Sequence, residues 1–202
     1  MGEDVLALAP RSAALPGSRA EVEAIRSLYG TRATVLAGAA ASEQAFRTAA
    51  SRYGVLHLAT SGVLNKHNPL FSFVKLAPGG TQDGRLEVHE VFGLALNARL
   101  VVLSACQTAL GAGAQADVPA GDEWVGLVRA FFHAGASNVL ATLWPVEDRT
   151  TAELIGRFYR QLQAGHSEAE ALAQAQRLTL RDPRTAHPFY WAGFTLSGGW
   201  HG

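Results

Sequence analysis

Cysteine is nearly absent from this sequence, which has one residue of that type in 202. The single residue, Cys106, cannot form an internal disulfide, so the sequence favours a reducing compartment and predicts a cytoplasmic protein. No run of about 18 apolar residues without a charge occurs, and no membrane-spanning helix is therefore predicted. The first residues also lack the basic start and apolar core of a secretory signal.

An excess of charge of either sign is also missing. The sequence has 17 Lys+Arg and 17 Asp+Glu residues, and charged residues make up 17% of the chain. Without a basic field, the surface is not expected to attract nucleic acid or anionic lipid. We predict that neither nucleic acid nor a membrane is a partner.

Apolar residues, in contrast, are abundant, at 48% of the chain. That is enough to fill the core of one domain. No internal repeat, low-complexity tract or linker divides the sequence, so we predict a single domain over residues 1–202. Because the chain opens abruptly into an apolar run at Val5, we expect this domain to be a fragment of a longer protein.

Short apolar runs alternate with amphipathic stretches along the chain. The apolar runs predict strands at Val5–Ala9, 34–36, Val55–Thr60, 99–105, 138–143 and 193–196. The amphipathic stretches predict helices at 21–29, 42–51, 122–135, 150–165 and from 167 onward. Strands that alternate with helices indicate an α/β fold, with a mainly parallel sheet covered on both faces.

Several helix starts carry capping residues. Ser42 and Asp122 are predicted to cap their helices, and Ser167 with Glu170 has the capping-box pattern. Thr150 with Glu153 has the same pattern before the next helix. In the helix after Asp122, the apolar residues share one face, which is expected to pack on the sheet; they are Trp124, Leu127, Val128 and Phe131.

Two irregular regions, 62–91 and 108–121, follow the carboxyl ends of the two strongest strands. The first is rich in Gly and Pro and predicts a small hairpin of 71–77 against 85–88. The second is rich in Gly and Ala, and we expect it to be more mobile than its neighbours. Open α/β sheets bind their ligands at the carboxyl ends of strands, so both regions are candidate sites.

Cys106 lies one residue beyond the strand that ends at Ala105. This position suits a nucleophile that faces a Gly-rich loop, provided that a neighbour stabilises the thiolate. The alternative is a small buried apolar residue, which is what most single cysteines are. The residues around Cys106 leave both interpretations open.

A catalytic cysteine needs a base, which is expected to follow an adjacent strand. The strand Val55–Thr60 is followed by Ser61 and Gly62, so a serine stands where an imidazole is expected. His57 lies four residues earlier, about 13 Å away along an extended chain, and is interpreted as a buried histidine beneath the site. The other histidines are assigned to solvated loops, surface or packing; they are His67, His89, His133, His166 and His187.

Other kinds of site find little support. One cysteine and no His/Asp cluster argue against a metal, and no phosphate-binding glycine pattern or serine-hydrolase elbow is present, so no cofactor is predicted. Acidic residues near strand or loop ends could line a pocket for a basic group. They are Asp117, Asp122, Glu123, Glu147 and Asp148, although capping is the simpler explanation for Asp122.

A set of motifs resembles one known family. The motifs are LPG at 15–17, EVEAI at 21–25, VLHLATSG at 55–62, PLFS at 69–72, LVVLSACQT at 100–108, GLVRAF at 126–131, AGA at 134–136, LWPVED at 143–148 and HPFYWA at 187–192. Together they resemble a CHAT domain, a caspase- and separase-like module that usually accompanies tetratricopeptide (TPR) repeats. The resemblance spans nearly the whole chain.

This resemblance implies a caspase-like three-layer α/β sandwich in which a Cys/His dyad cleaves peptide bonds. Cys106 matches the family nucleophile, and Gly62 matches the glycine whose N–H helps to hold the oxyanion. Ser61 stands in place of the family histidine, and Asp122 stands where the family usually has Glu. The implied partners are a peptide or protein substrate and a TPR region in the full-length chain.

Two functions follow as hypotheses. In the first, the domain is a cysteine endopeptidase homologue that is inactive or strongly impaired, because loss of a positioned base costs about 10²–10⁴-fold in rate. Asp122, Glu147 and Asp148 are then candidates for binding a basic substrate residue. In the second, it is a non-catalytic interaction or scaffold module. Ser61 could mark a natural pseudoprotease, a deliberately inactivated form, or an enzyme that takes its base from elsewhere.

Overall fold

The computed structural model describes residues 4–65, 67–105, 122–144 and 146–199. Their strands are β1 (Val5–Ala9), β2 (Ala33–Ala37), β3 (Val55–Thr60), β4 (Gly62–Val63), β5 (Phe73–Lys75), β6 (Arg85–Glu87), β7 (Leu100–Ala105), β8 (Asn138–Thr142) and β9 (Phe194–Gly198). Their α-helices are α1 (Pro16–Tyr29), α2 (Glu43–Ala49), α3 (Val88–Val91), α4 (Asp122–His133), α5 (Asp148–Gln163) and α6 (Glu168–Leu180).

Six strands form the main sheet, in the order β2-β1-β3-β7-β8-β9. All neighbours are parallel except β8 and β9, which are antiparallel. The prediction of a mainly parallel sheet is therefore confirmed. β3 and β7 lie at its centre and are buried on both faces, as their continuous apolar runs indicate.

Helices cover both faces of the sheet, which gives the predicted three layers. On one face, α1, α5 and α6 pack against alternate residues of the central strands, including Val55 and Val102. On the other face, α2, α3 and α4 pack against the intervening residues, including Leu58 and Leu103. No helix in the described ranges is long and apolar enough to cross a membrane.

The predicted core face of α4 is confirmed for the residues that can be placed. Leu127 and Phe131 are fully buried, and Val128 packs against the same cluster. The side chain of Trp124 lies outside the described residues. The helix ends before Gly135, whose positive φ of 109° is a conformation that glycine adopts at little cost.

The helix starts are predicted correctly in two cases and wrongly in a third. Ser42 accepts a hydrogen bond from the Ala45 N–H, and Ser167 with Glu170 forms a capping box. The predicted box of Thr150 and Glu153 is wrong, because α5 already begins at Asp148 and the Thr150 hydroxyl donates to the Glu147 carbonyl.

A second, three-stranded antiparallel sheet follows β3, in the order β4-β5-β6. Val74 pairs with Leu86, which confirms the predicted hairpin. Its third strand, β4, begins at Gly62 and has only two residues, too few for a recognisable sequence pattern. The small sheet thus begins directly beside the end of β3.

Candidate active site

The ends of β3 and β7 define the candidate site. These parallel strands are paired from Val55–Leu100 to Thr60–Ala105. The next residues in sequence are Ser61 and Cys106, and neighbouring strands lie about 4.8 Å apart. Cys106 and region 108–121, with its predicted mobility, lie outside the described residues.

Ser61 is held between the two sheets. It is 1% exposed, and its carbonyl accepts a hydrogen bond of 2.9 Å from the Lys75 N–H of β5. The preceding Thr60 donates its hydroxyl to the Lys75 carbonyl, and Gly62 pairs with Val74. The backbone at this position is therefore fixed by neighbours on both sides.

His57 lies deep beneath this edge, as the sequence analysis predicts. It is fully buried, with Nδ1 3.2 Å from the hydroxyl of Tyr159 in α5 and Nε2 3.1 Å from Oε2 of Glu21 in α1. When the ring proton is on Nε2, Nδ1 can accept a hydrogen bond from the Tyr159 hydroxyl. His57 thus joins β3 to two helices.

Burial dominates the electrostatics of this cluster. It raises the pKa of the Glu21 carboxyl, while His57 and Ser104 of β7 act in the opposite direction. Burial also raises the pKa of Tyr159 well above its ordinary value, which keeps the phenol protonated. Within the described part of the chain, Glu21 Oε2, His57 Nε2 and Ser104 Oγ lack a well-aligned hydrogen-bond partner.

Sequence reasoning missed Glu21 and Tyr159 as members of a polar cluster. By its spacing from Ile155 and Leu162, Tyr159 is one of the apolar residues of α5, and its ring does pack with them. A usable signal was the spacing of Glu21, which precedes Val22 by one residue and Ile25 by four. A carboxyl group on the core-facing side of a helix needs a buried partner, and His57 supplies it.

A cavity of about 590 Å³ lies where α1 and α5 begin. Both helices follow the carboxyl ends of parallel strands, β1 and β8, so the cavity lies on the same edge of the sheet as Ser61. The lining combines small or apolar residues with charged ones; it consists of Pro16, Gly17, Ala20, Glu147, Asp148, Arg149, Ala152 and Glu153.

The acidic candidates have different environments. Glu147 is exposed at the cavity, whereas the Asp148 carboxylate accepts hydrogen bonds from the N–H groups of Gly17 (2.5 Å) and Ser18 (3.2 Å). Asp148 therefore caps α1 from a distant part of the sequence. Asp122 begins α4, but its side chain, like that of Glu123, lies outside the described residues, as does Asp117.

The remaining histidines lie away from the strand ends or in solvent. His67 is exposed in a turn formed around the Asn65 side chain. His89 is half-exposed beside Glu87, while His133, His166 and His187 are exposed. Across the described residues, no group of three His, Cys, Asp or Glu side chains could hold a metal ion.

The layered sheet with helices on both faces has a caspase-like α/β fold. The chain superposes on separase in the Saccharomyces cerevisiae separase–securin complex with a TM-score of 0.60 and 12% identity, covering 98% of this chain and 12% of that one. It superposes on the Arg-specific cysteine proteinase gingipain R with a TM-score of 0.60 and 8% identity, covering 97% and 46%.

Sequence comparison gives the family. The CHAT-domain family model matches residues 5–199, and the chain belongs to that family. Tetratricopeptide repeat protein 28 of Mus musculus is 36% identical over 113 residues, or 56% of this chain, and that of Homo sapiens is 36% identical over 117 residues, or 58%. The matched part is only 4% of the length of each relative.

Proposed function

We propose that this CHAT domain is a cysteine-endopeptidase homologue whose cleavage activity is absent or strongly reduced because Ser61 occupies the position of the base. The observation that carries the proposal is the pairing of Thr60 with Ala105. This pairing brings the strand ends before Ser61 and Cys106 side by side. The nucleophile and base positions of the family follow those two ends directly.

The chemistry explains why serine is a poor replacement. An imidazole takes the thiol proton, the sulfur attacks the peptide carbonyl, and the imidazolium then protonates the leaving amine. A serine hydroxyl accepts no proton near neutral pH, so most of the thiol stays protonated. The loss of a positioned base costs about 10²–10⁴-fold in rate. Gly62 still has an N–H group for the oxyanion.

His57 does not replace the missing base. It is fully buried, and Tyr159 and Glu21 occupy the surroundings of its two ring nitrogens. A general base must reach the proton it removes directly or through one water. An imidazole enclosed between the sheet and two helices has no such access to a substrate.

The acidic cavity is the proposed binding place for a basic substrate residue. Glu147 is its exposed carboxylate, whereas Asp148 can bind a basic group only by giving up its hydrogen bonds to α1. The third lining carboxylate, Glu153, is paired with Arg149, which also lines the cavity. Asp122, at the start of α4, is a further acidic candidate. Pro16 and Ala20, which also line the cavity, offer apolar surface to the alkyl stem of a lysine or arginine.

Restoring the base tests this proposal. We expect Ser61→His to cleave peptides in a positional library that includes basic P1 residues, and to accelerate alkylation of Cys106 by a peptide electrophile. The second change Cys106→Ala should abolish the cleavage and thereby exclude a contaminating protease. Ser61→Asn is the matched control, since it adds a comparable side chain that has no basic nitrogen.

The opposite result is equally informative. If Ser61→His folds, cleaves nothing and leaves Cys106 no more reactive than in the parent chain, the peptidase proposal fails. A thermal melt followed by circular dichroism establishes folding, because enlarging a buried side chain typically costs about 1–3 kcal/mol.

The second candidate is a non-catalytic interaction module, which Ser61 itself favours. Its sequence relatives carry tetratricopeptide repeats in their name, and a TPR region in the full-length protein is part of this proposal. The lone cysteine supports a cytoplasmic location. Alkylation of Cys106 no faster than that of a free model thiol is the result expected for such a module.

A further inference from the structure

The buried polar cluster connects the two helices that form the cavity. Glu21 lies in the second turn of α1, and Tyr159 lies in the fourth turn of α5. Both contact His57 of β3, at 3.1 Å and 3.2 Å respectively, and all three side chains are at most 1% exposed. Both helices are thus anchored to the same residue of the central sheet.

The first turns of α1 and α5 are packed too closely to admit a larger side chain between them. A β-carbon at Gly17 would collide with the backbone of Asp148, and the Asp148 carboxylate binds the Gly17 and Ser18 N–H groups. A small shift of α1 along α5 therefore breaks this contact and changes the width of the cavity. Farther along, the rings of Tyr29 and Tyr159 meet edge to face at 5.9 Å.

Stability alone does not account for polar side chains in this layer. The surrounding residues are apolar, and replacing both partners of a buried polar contact by apolar groups of the same shape is often nearly neutral or stabilising. Apolar contacts, however, let helices slide over one another at little cost, whereas polar contacts have fixed partners and geometry. The cluster is suited to specifying where α1 and α5 lie.

We propose that His57 is a positioning residue. By holding Glu21 and Tyr159 on one strand, it sets the spacing of the first turns of α1 and α5. That spacing in turn sets the selectivity of the acidic cavity for a basic side chain. The inference rests on the proposed role of that cavity. His57 acts here through the helices and touches no substrate.

The first test compares two peptidyl chloromethyl ketones that label Cys106, one ending in arginine and the other in norleucine. Tyr159→Phe and Glu21→Met remove one polar contact each and approximately keep the side-chain size. We expect both to reduce the preference for the arginine probe about tenfold, in line with the cost of small misplacements in binding sites. Labelling by iodoacetamide, which does not need the cavity, should not change.

Tyr53→Phe is the matched control, since it removes a part-buried hydroxyl that donates to Thr34 and packs on the opposite face of the sheet from His57. It should keep the arginine preference of the parent chain. Glu147→Gln tests the cavity itself. If Glu147→Gln leaves the preference intact, the basic subsite of the proposed function fails, whatever the effect of the His57 contacts.

A second readout is independent of any labelling preference. Amide hydrogen exchange at Gly17 and Ser18 reports their hydrogen bonds to Asp148. We expect Tyr159→Phe to accelerate exchange there by at least tenfold while Ile25, in the middle of α1, stays protected. Uniform acceleration along α1, or none at Gly17 and Ser18, would overturn the positioning role and leave His57 as a structural residue only. If the parent chain shows no arginine preference, this exchange measurement alone tests the positioning role of His57.

Discussion

At Glu21 the surrounding groups determine what a change of pH does to the fold. The carboxyl is buried against His57 and Ser104, with Tyr159 behind the imidazole and Asp148 as the next acidic group. Burial is the strongest influence and raises the pKa of Glu21. The folded protein therefore holds a proton at pH values where an unfolded chain has released it.

This predicts a dependence of stability on pH that Glu21→Gln removes. The stabilising contribution is complete below the ordinary Glu pKa of about 4.3 and is lost as the pH rises through the higher folded value. Relative to the parent chain, Glu21→Gln should therefore become progressively less destabilising as the pH increases. Urea unfolding between about pH 4 and about pH 8 measures the difference.

Glu23→Gln is the control for this measurement. Glu23 lies in the same helix, is half-exposed and pairs with Arg26 on the surface. Its substitution should displace the stability curve by a similar small amount at every pH. If the Glu21→Gln curve also runs parallel to that of the parent chain, the protonated carboxyl is not a feature of the folded state.

At the scale of single elements, the packing of α4 on the sheet can be tested by its contribution to the free energy of unfolding. Phe131 is fully buried on the face that meets the sheet. We expect Phe131→Ala to lower the free energy of unfolding by about 3–5 kcal/mol, as truncation of core aromatics does. Phe189→Ala, at a residue that is 44% exposed, should have little effect. A loss below about 1 kcal/mol for Phe131→Ala in urea unfolding would contradict the core assignment.

Elements determined by residues close together in sequence were predictable, and those determined by contacts with residues far away in sequence were not. β3 and β7 follow from continuous apolar runs, and the start of α6 follows from Ser167 and Glu170. The first turn of α1 was missed because its cap, Asp148, lies far away in sequence. β4 was missed because two residues have no periodicity.

The residues of the candidate site show the same difference between local and distant causes. Ser61 and Gly62 were identified because they follow a strong strand and match a family motif. The acids Glu147 and Asp148 were identified as a pair, but only the fold separates an exposed carboxylate from a capping one. The cluster around His57 depends on three elements far apart in sequence, and no local pattern gives their contact.

At the scale of the whole molecule, one buried acid ties the small sheet to the main layers. Glu43 of α2 is 1% exposed and accepts a hydrogen bond from the Gly84 N–H, at 3.1 Å, in the turn before β6. Arg47 bridges Glu43 and Glu90 of α3 at 3.2 and 3.1 Å. The small sheet is therefore held at its far end as well as at Ser61.

We expect Glu43→Ala to cost about 1.5–3 kcal/mol, because it removes hydrogen bonds to a charged group and leaves the Gly84 N–H without its partner. Amide exchange should accelerate more at Leu86, in the small sheet, than at Val101, in the main sheet. Gln44→Ala, at an exposed neighbour in the same helix, is the control. Equal acceleration at Leu86 and Val101 would show that the two sheets open as one unit.

The pairing of Thr60 with Ala105 also has a consequence for how the molecule is made. The chain between these residues contains the whole small sheet and α3, so the pairing closes a long loop. Long-range parallel pairings carry the entropic cost of loop closure and form slowly. During synthesis, β3 leaves the ribosome well before β7. The two strand ends next to Ser61 and Cys106 therefore meet only after the small sheet has been made, and no earlier fragment of the nascent chain can display the site.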